Sequence, residues 1–67
     1  MFVTKKELKE INVKEQFEAG VNFIKITDGR HSLYNTPQGI KVVDYKTGLG
    51  LTTTSKFPKY IKQALNK

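Results

Sequence analysis

The chain has 67 residues, no cysteine and a formal net charge of +6. A chain of this size forms one domain, residues 1–67, and buries only ~60% of the surface it exposes when unfolded; it has no disulfide and no cysteine-based metal site to staple it. No apolar run approaches the ~18 residues of a membrane span, which excludes that class.

The opening stretch MFVTKKELKE turns charged at once, so no signal peptide is expected and the chain reads as a complete small open reading frame. The lack of cysteine fits a cytoplasmic setting. Thr4-Lys5-Lys6-Glu7 forms a capping box, and a helix is expected to begin there. Asn12-Val13-Lys14-Glu15 is a second such box, at which the apolar positions change register from Leu8 and Ile11 to Val13 and Phe17. Either one helix runs over 5–19 or two short ones break near Asn12. In a single helix Glu10 and Lys14 would make a favourable i,i+4 pair. Gly20 is placed to end the helical stretch in the left-handed conformation. A helix-turn-helix reading is disfavoured, because Glu15 and Glu18 would face phosphate.

Residues 21–35, VNFIKITDGRHSLYN, read as a β-hairpin closed by Asp28-Gly29 in a type I′ turn. That turn pairs Thr27 with Arg30, and the register follows. One face carries Ile26 with His31, Ile24 with Leu33 and Asn22 with Asn35; it is aliphatic and suits a core. The other carries Phe23 with Tyr34 and Lys25 with Ser32, with Arg30 at the end. This second face is either a stacking surface for exposed bases or a second core beneath a helix.

Thr36-Pro37-Gln38-Gly39 is a turn, and residues 40–45 form a strand that is apolar on both faces, as a central strand is. Lys46-Thr47-Gly48 turns the chain again, with Gly48 as a G1 bulge. Residues 49–55, LGLTTTS, make the next strand, and Gly50 within it signals a bulge or a close approach. Ser55 is placed to cap a final short helix with Pro58 in its first turn. In that helix Phe57, Tyr60, Ile61, Ala64 and Leu65 share one arc, and Lys56, Lys59, Lys62 and Lys67 the other. It is too short for a membrane-surface role, and its apolar arc is needed for the core.

The expected fold is therefore α+β: an amino-terminal helix, a four-stranded antiparallel sheet (21–27, 30–35, 40–45, 49–55) and a short carboxy-terminal helix. Met1-Phe2-Val3 is a candidate short edge strand, and a small barrel is the competing architecture.

The chemistry of a catalytic centre is sparse. His31 is the single histidine, so no His- or Cys-rich metal site is expected. Ser32 and Ser55 lack a triad spacing. Gly48-Leu49-Gly50 lacks the phosphate-loop spacing. An enzyme would require Asp44 and His31 to meet in a cleft, and they lie on different strands. No enzyme, cofactor or metal is expected.

The charge points to binding. Residues 1–20 balance Lys5, Lys6, Lys9 and Lys14 against Glu7, Glu10, Glu15 and Glu18. Residues 21–67 set seven Lys and Arg30 against Asp28 and Asp44 alone, so the whole excess lies there. The expectation is a basic accessory or regulatory protein that binds DNA or RNA with weak sequence specificity, since lysine holds phosphate without reading bases. Phe23 and Tyr34 would stack, and Lys25, Arg30, Lys41, Lys46, Lys56, Lys59 and Lys62 would contact phosphates. The alternative is a compact protein-binding module, an inhibitor, adaptor or assembly subunit acting on a larger partner. A homodimer is compatible with both.

Overall fold

A computed structural model describes residues 1–66. These residues form three α-helices and five strands: β1 (Phe2–Val3), α1 (Lys5–Glu10), α2 (Val13–Glu18), β2 (Phe23–Ile26), β3 (His31–Thr36), β4 (Gly39–Asp44), β5 (Leu49–Leu51) and α3 (Lys59–Leu65), with a 3₁₀ turn at Thr54–Lys56. Lys67 lies outside the described residues. The fold is α+β, with an open sheet in the order β1-β2-β3-β4-β5. Four antiparallel strands were expected; a fifth, β1, joins them parallel to β2, and the sheet does not close into a barrel.

The amino-terminal helix is broken, and the caps explain where. Thr4 Oγ1 accepts the Glu7 amide at 3.0 Å and donates to the Glu7 carboxylate at 3.1 Å. Asn12 Oδ1 accepts the Glu15 amide at 3.1 Å, which starts a second helix. Ile11 is extended (φ −89°, ψ 154°), so Glu10 and Lys14 fall on separate helices and the expected i,i+4 pair does not form. Gly20, at φ 100°, closes α2 in a Schellman motif: Val21 N donates to Gln16 O and Gly20 N to Phe17 O, each at 3.1 Å.

The hairpin register is the expected one, pairing Phe23 with Tyr34, Ile24 with Leu33 and Lys25 with Ser32. Its turn is not type I′. Gly29 has φ 76°, but among the described residues none other than glycine has positive φ. Asp28 keeps an ordinary φ because its carboxylate Oδ1 caps the turn, accepting the Arg30 amide at 2.8 Å and the His31 amide at 3.1 Å.

The strand expected over 49–55 ends at Leu51, and the final helix starts later than Ser55. Proline disfavours helical backbone in the residue before it, and Phe57 is extended at φ −69°, ψ 145°. A helix therefore cannot run from Ser55 through Pro58. A 3₁₀ turn fills the gap, and α3 begins after Pro58.

One core holds the molecule together. It gathers Val3, Ile24, Ile26, Leu33 and Val42 from the sheet with Leu8, Val13, Phe17, Phe57, Ile61, Ala64 and Leu65 from the helical side. The sheet residues in that set all point to one face. The helices cover that face, and the other face of the sheet carries none of the core.

Candidate nucleic-acid interface

The uncovered face is built by strand alternation alone. Phe2 lies beside Lys25, Lys25 beside Ser32, Ser32 beside Val43 and Val43 beside Gly50, and one step along the strands Phe23, Tyr34 and Lys41 form a second row. Tyr45, two residues after Val43, extends the same face beyond the end of β4.

Phe23 and Tyr34 pack as a tilted pair with ring centroids 5.1 Å apart. Both are half-buried by each other and their neighbours, with no helix over them. Lys25 lies between two further rings, its Nζ 5.5 Å from the Phe2 centroid and 5.8 Å from that of Tyr45. Phe2 is 69% exposed and Tyr45 47%. Tyr45 is held in place by a 2.5 Å hydrogen bond between its hydroxyl and Ser32 Oγ, which makes Ser32 fully buried on this otherwise open face. The neighbouring Tyr45 raises the Tyr34 phenol above its ordinary value. Lys41 runs diagonally across β5. A Cβ on Gly50 would come within 3 Å of its Cε, so the missing side chain is what lets the lysine lie flat.

Of the nine residues expected to bind nucleic acid, the structure brings four together on this face: Phe23, Lys25, Tyr34 and Lys41. Arg30 and Lys46 lie in the two turns at one end of the sheet, and the Arg30 Nε is engaged by Asp44 at 3.0 Å. Lys56, Lys59 and Lys62 belong to the helical side, where Lys62 Nζ donates to Ser55 O at 3.0 Å. The cationic residues thus do not form one continuous ridge. Phe2, Ser32 and Tyr45 complete the face and were not among the expected site residues. The alternation of Val43 and Tyr45 against Tyr34 carried the signal for Tyr45; nothing local announced the pairing that brings in Phe2.

A second polar cluster sits where the turns meet the core. His31 and Asp44, expected to lie apart on different strands, are direct cross-strand partners. The Pro37-Gln38 turn, counted down both strands from the Thr36 and Gly39 pair, already implies this register. Tyr60 from α3 donates to Asp28 Oδ2 at 2.5 Å and meets His31 Nδ1 at 2.7 Å, while Nδ1 is 3.0 Å from Asp28 Oδ2. A hydrogen on Nδ1 satisfies both contacts. Asp44 Oδ1 caps the next turn through the Lys46 and Thr47 amides.

Burial alone would raise both carboxyls, but hydrogen bonds prevail. Those from His31, Tyr60 and the turn amides hold Asp28 well below the usual carboxylate range, and those from the Arg30 side chain and the Lys46 and Thr47 amides lower Asp44. Burial and the bond to Asp28 push the Tyr60 phenol well above its ordinary value. His31 and Asp44 are each only 7% exposed, and no buried side-chain nitrogen or oxygen among the described residues lacks a partner. The cluster ties two turns to a helix. Among the described residues no group of three metal-ligating side chains occurs, and no helix is long and apolar enough to cross a membrane.

Comparison with protein-family models, curated proteins and solved structures returned no match.

Proposed function

We propose that the protein is a non-enzymatic accessory or regulatory factor that binds unpaired nucleic acid across the uncovered sheet face. Phe23 and Tyr34, with Phe2 and Tyr45, supply rings for exposed bases, and Lys25 and Lys41 supply charge for the backbone. The observation that supports this reading is the restriction of all helical packing to the opposite face, which leaves four aromatic rings and two lysines in solvent reach. A sheet face bare of helices has no helix to insert into a groove, so unpaired strands suit it better than a duplex. Lysine rather than arginine sets the charge, so sequence preference should be weak.

The test is fluorescence anisotropy with short mixed-sequence DNA and RNA strands between about 50 and 200 mM salt. Affinity is expected to fall with a log–log slope of about −0.7 per phosphate neutralised. An absence of binding at the lowest salt removes the proposal.

A second reading, a compact protein-binding module, draws support from β5. Leu49 on that short edge strand is 61% exposed, and the outer edge has no partner strand among the described residues. Recovery of one stoichiometric protein in a pull-down, unaffected by nuclease, would favour it over the first.

A further inference from the structure

The balanced charge of the first twenty residues conceals a cationic surface. At about 100° per residue, Lys5 and Lys9 lie within about 40° of each other around α1, while Glu7 falls about 160° from both and Glu10 about 100° or more from either. Glu7 is further held at the helix start by the Thr4 hydroxyl. On α3 the same spacing aligns Lys59 with Gln63. The two helices pack together, and these two i,i+4 pairs form the walls of an open cleft of about 310 Å³ lined by Lys5, Lys9, Lys59, Tyr60 and Gln63.

Three lysines line this space and none of the lining residues is acidic. None of the three lysines forms an ion pair with a described residue. Lys5 Nζ sits 4.5 Å from the Tyr60 ring centroid, and the Tyr60 hydroxyl is anchored by Asp28 and His31. The ring is therefore a fixed wall rather than a mobile one, and Gln63 adds an amide donor. The volume is at the lower end of small-ligand sites, large enough for a few linked phosphates and too shallow to enclose a larger molecule.

We propose that this α1–α3 cleft is a second anion site that takes a run of adjacent phosphate groups. Three lysines and one amide offer donors to several oxygens at once, which favours linked phosphates over a single monovalent anion. The site lies on the helical side of the molecule, away from the uncovered sheet face, and it does not depend on the proposal for that face. The same phosphate chemistry has two sources, a free polyphosphate chain or a nucleic-acid backbone.

The experiment is an NMR titration of the isotope-labelled full chain with sodium tripolyphosphate, against sodium chloride at matched ionic strength. Saturable shifts at Lys5, Lys9, Lys59, Tyr60 and Gln63 are expected. Lys9→Glu with Lys59→Glu should weaken the affinity by about tenfold or more. The neutral Lys59→Gln variant, with its melting curve as a folding control, keeps the test open should the double reversal disturb the fold. Saturation of the same signals by a short single strand but not by tripolyphosphate would retain the site and assign its source to a nucleic-acid backbone. Shifts that match the chloride control, or that concentrate at Lys25 and Lys41, overturn it. Tripolyphosphate binding should survive Tyr34→Ala, so failure of the sheet-face reading would be seen separately.

Discussion

His31 stands between two carboxylates, its Nδ1 3.0 Å from Asp28 Oδ2 and its Nε2 3.8 Å from Asp44 Oδ2. These are the only two acidic residues after residue 20, and each caps a hairpin turn with its other oxygen. The same pair that leaves the later chain so basic is thus consumed in fastening the β2–β3 and β4–β5 turns to one another and, through Tyr60, to α3. This leaves the surrounding lysines without local counter-charges.

Acid should loosen that fastening. Both carboxyls are depressed in the folded protein, so their stabilisation is complete above the unfolded carboxylate value of ~3.9. It declines as pH falls past that value and on through the lower folded ones. Asp28→Asn should reduce stability at neutral pH by about 1–3 kcal/mol, through loss of charged acceptors. It should also flatten the acid limb of a plot of urea midpoint against pH. Parallel acid limbs in the two proteins would show that Asp28 is not the group responsible.

Gly29→Val tests the hairpin turn. At φ 76° a β-branched residue is strained, and a Cβ there would touch nothing within 4 Å, so the cost is purely that of the backbone. A loss of about 1 kcal/mol or more is expected. An unchanged thermal midpoint would mean that the turn rearranges freely.

Deleting residues 56–67 should abolish folding. Phe57, Ile61, Ala64 and Leu65 all leave the core, and Ile61→Ala alone should cost about 2–5 kcal/mol. A domain of this size rarely has more than ~3–5 kcal/mol in hand. Retention of a cooperative melt and native-like circular dichroism by the shortened chain would refute this.

Two variants separate binding from stability on the open face. Tyr34→Ala should weaken single-strand binding by about 1–3 kcal/mol per stacked base lost. Gly50→Ala should leave stability nearly unchanged, since only the flexible end of Lys41 must move. It should nevertheless lift that ammonium off the face and lower the salt sensitivity of binding. Equal affinity in all three proteins, measured by anisotropy, would place the nucleic acid elsewhere.

What the sequence made legible was local. The caps at Thr4 and Asn12, the Gly20 terminus and the Phe23–Tyr34 register all follow from patterns a few residues long, and each is seen in the structure. The conformation of Asp28 was not legible, because it depends on where its carboxylate is used, and one of its partners, Tyr60, lies 32 residues away. The parallel pairing of β1 has only two residues to announce it. The core face of the sheet was legible in the aliphatic Ile24, Ile26 and Leu33; whether the opposite face is covered too was not, because β4 carries Ile40 and Val42 on one side and Val43 on the other. The nine site residues were chosen by charge and aromaticity along the chain, and only three dimensions divide them between sheet and helices.

Strand order along the sheet repeats strand order along the chain. From β2 to β5 every pairing joins immediate neighbours, so most of the sheet can zip up through short loops with little chain entropy spent on closure. The closures that span long separations involve the chain ends: β1 reaching past both early helices to β2, and α3 returning to α1, α2 and the β2–β3 turn. Low contact order of this kind favours rapid folding. The slow events should be the arrival of the two chain ends, and a nascent polypeptide would hold a formed meander before its last helix docks.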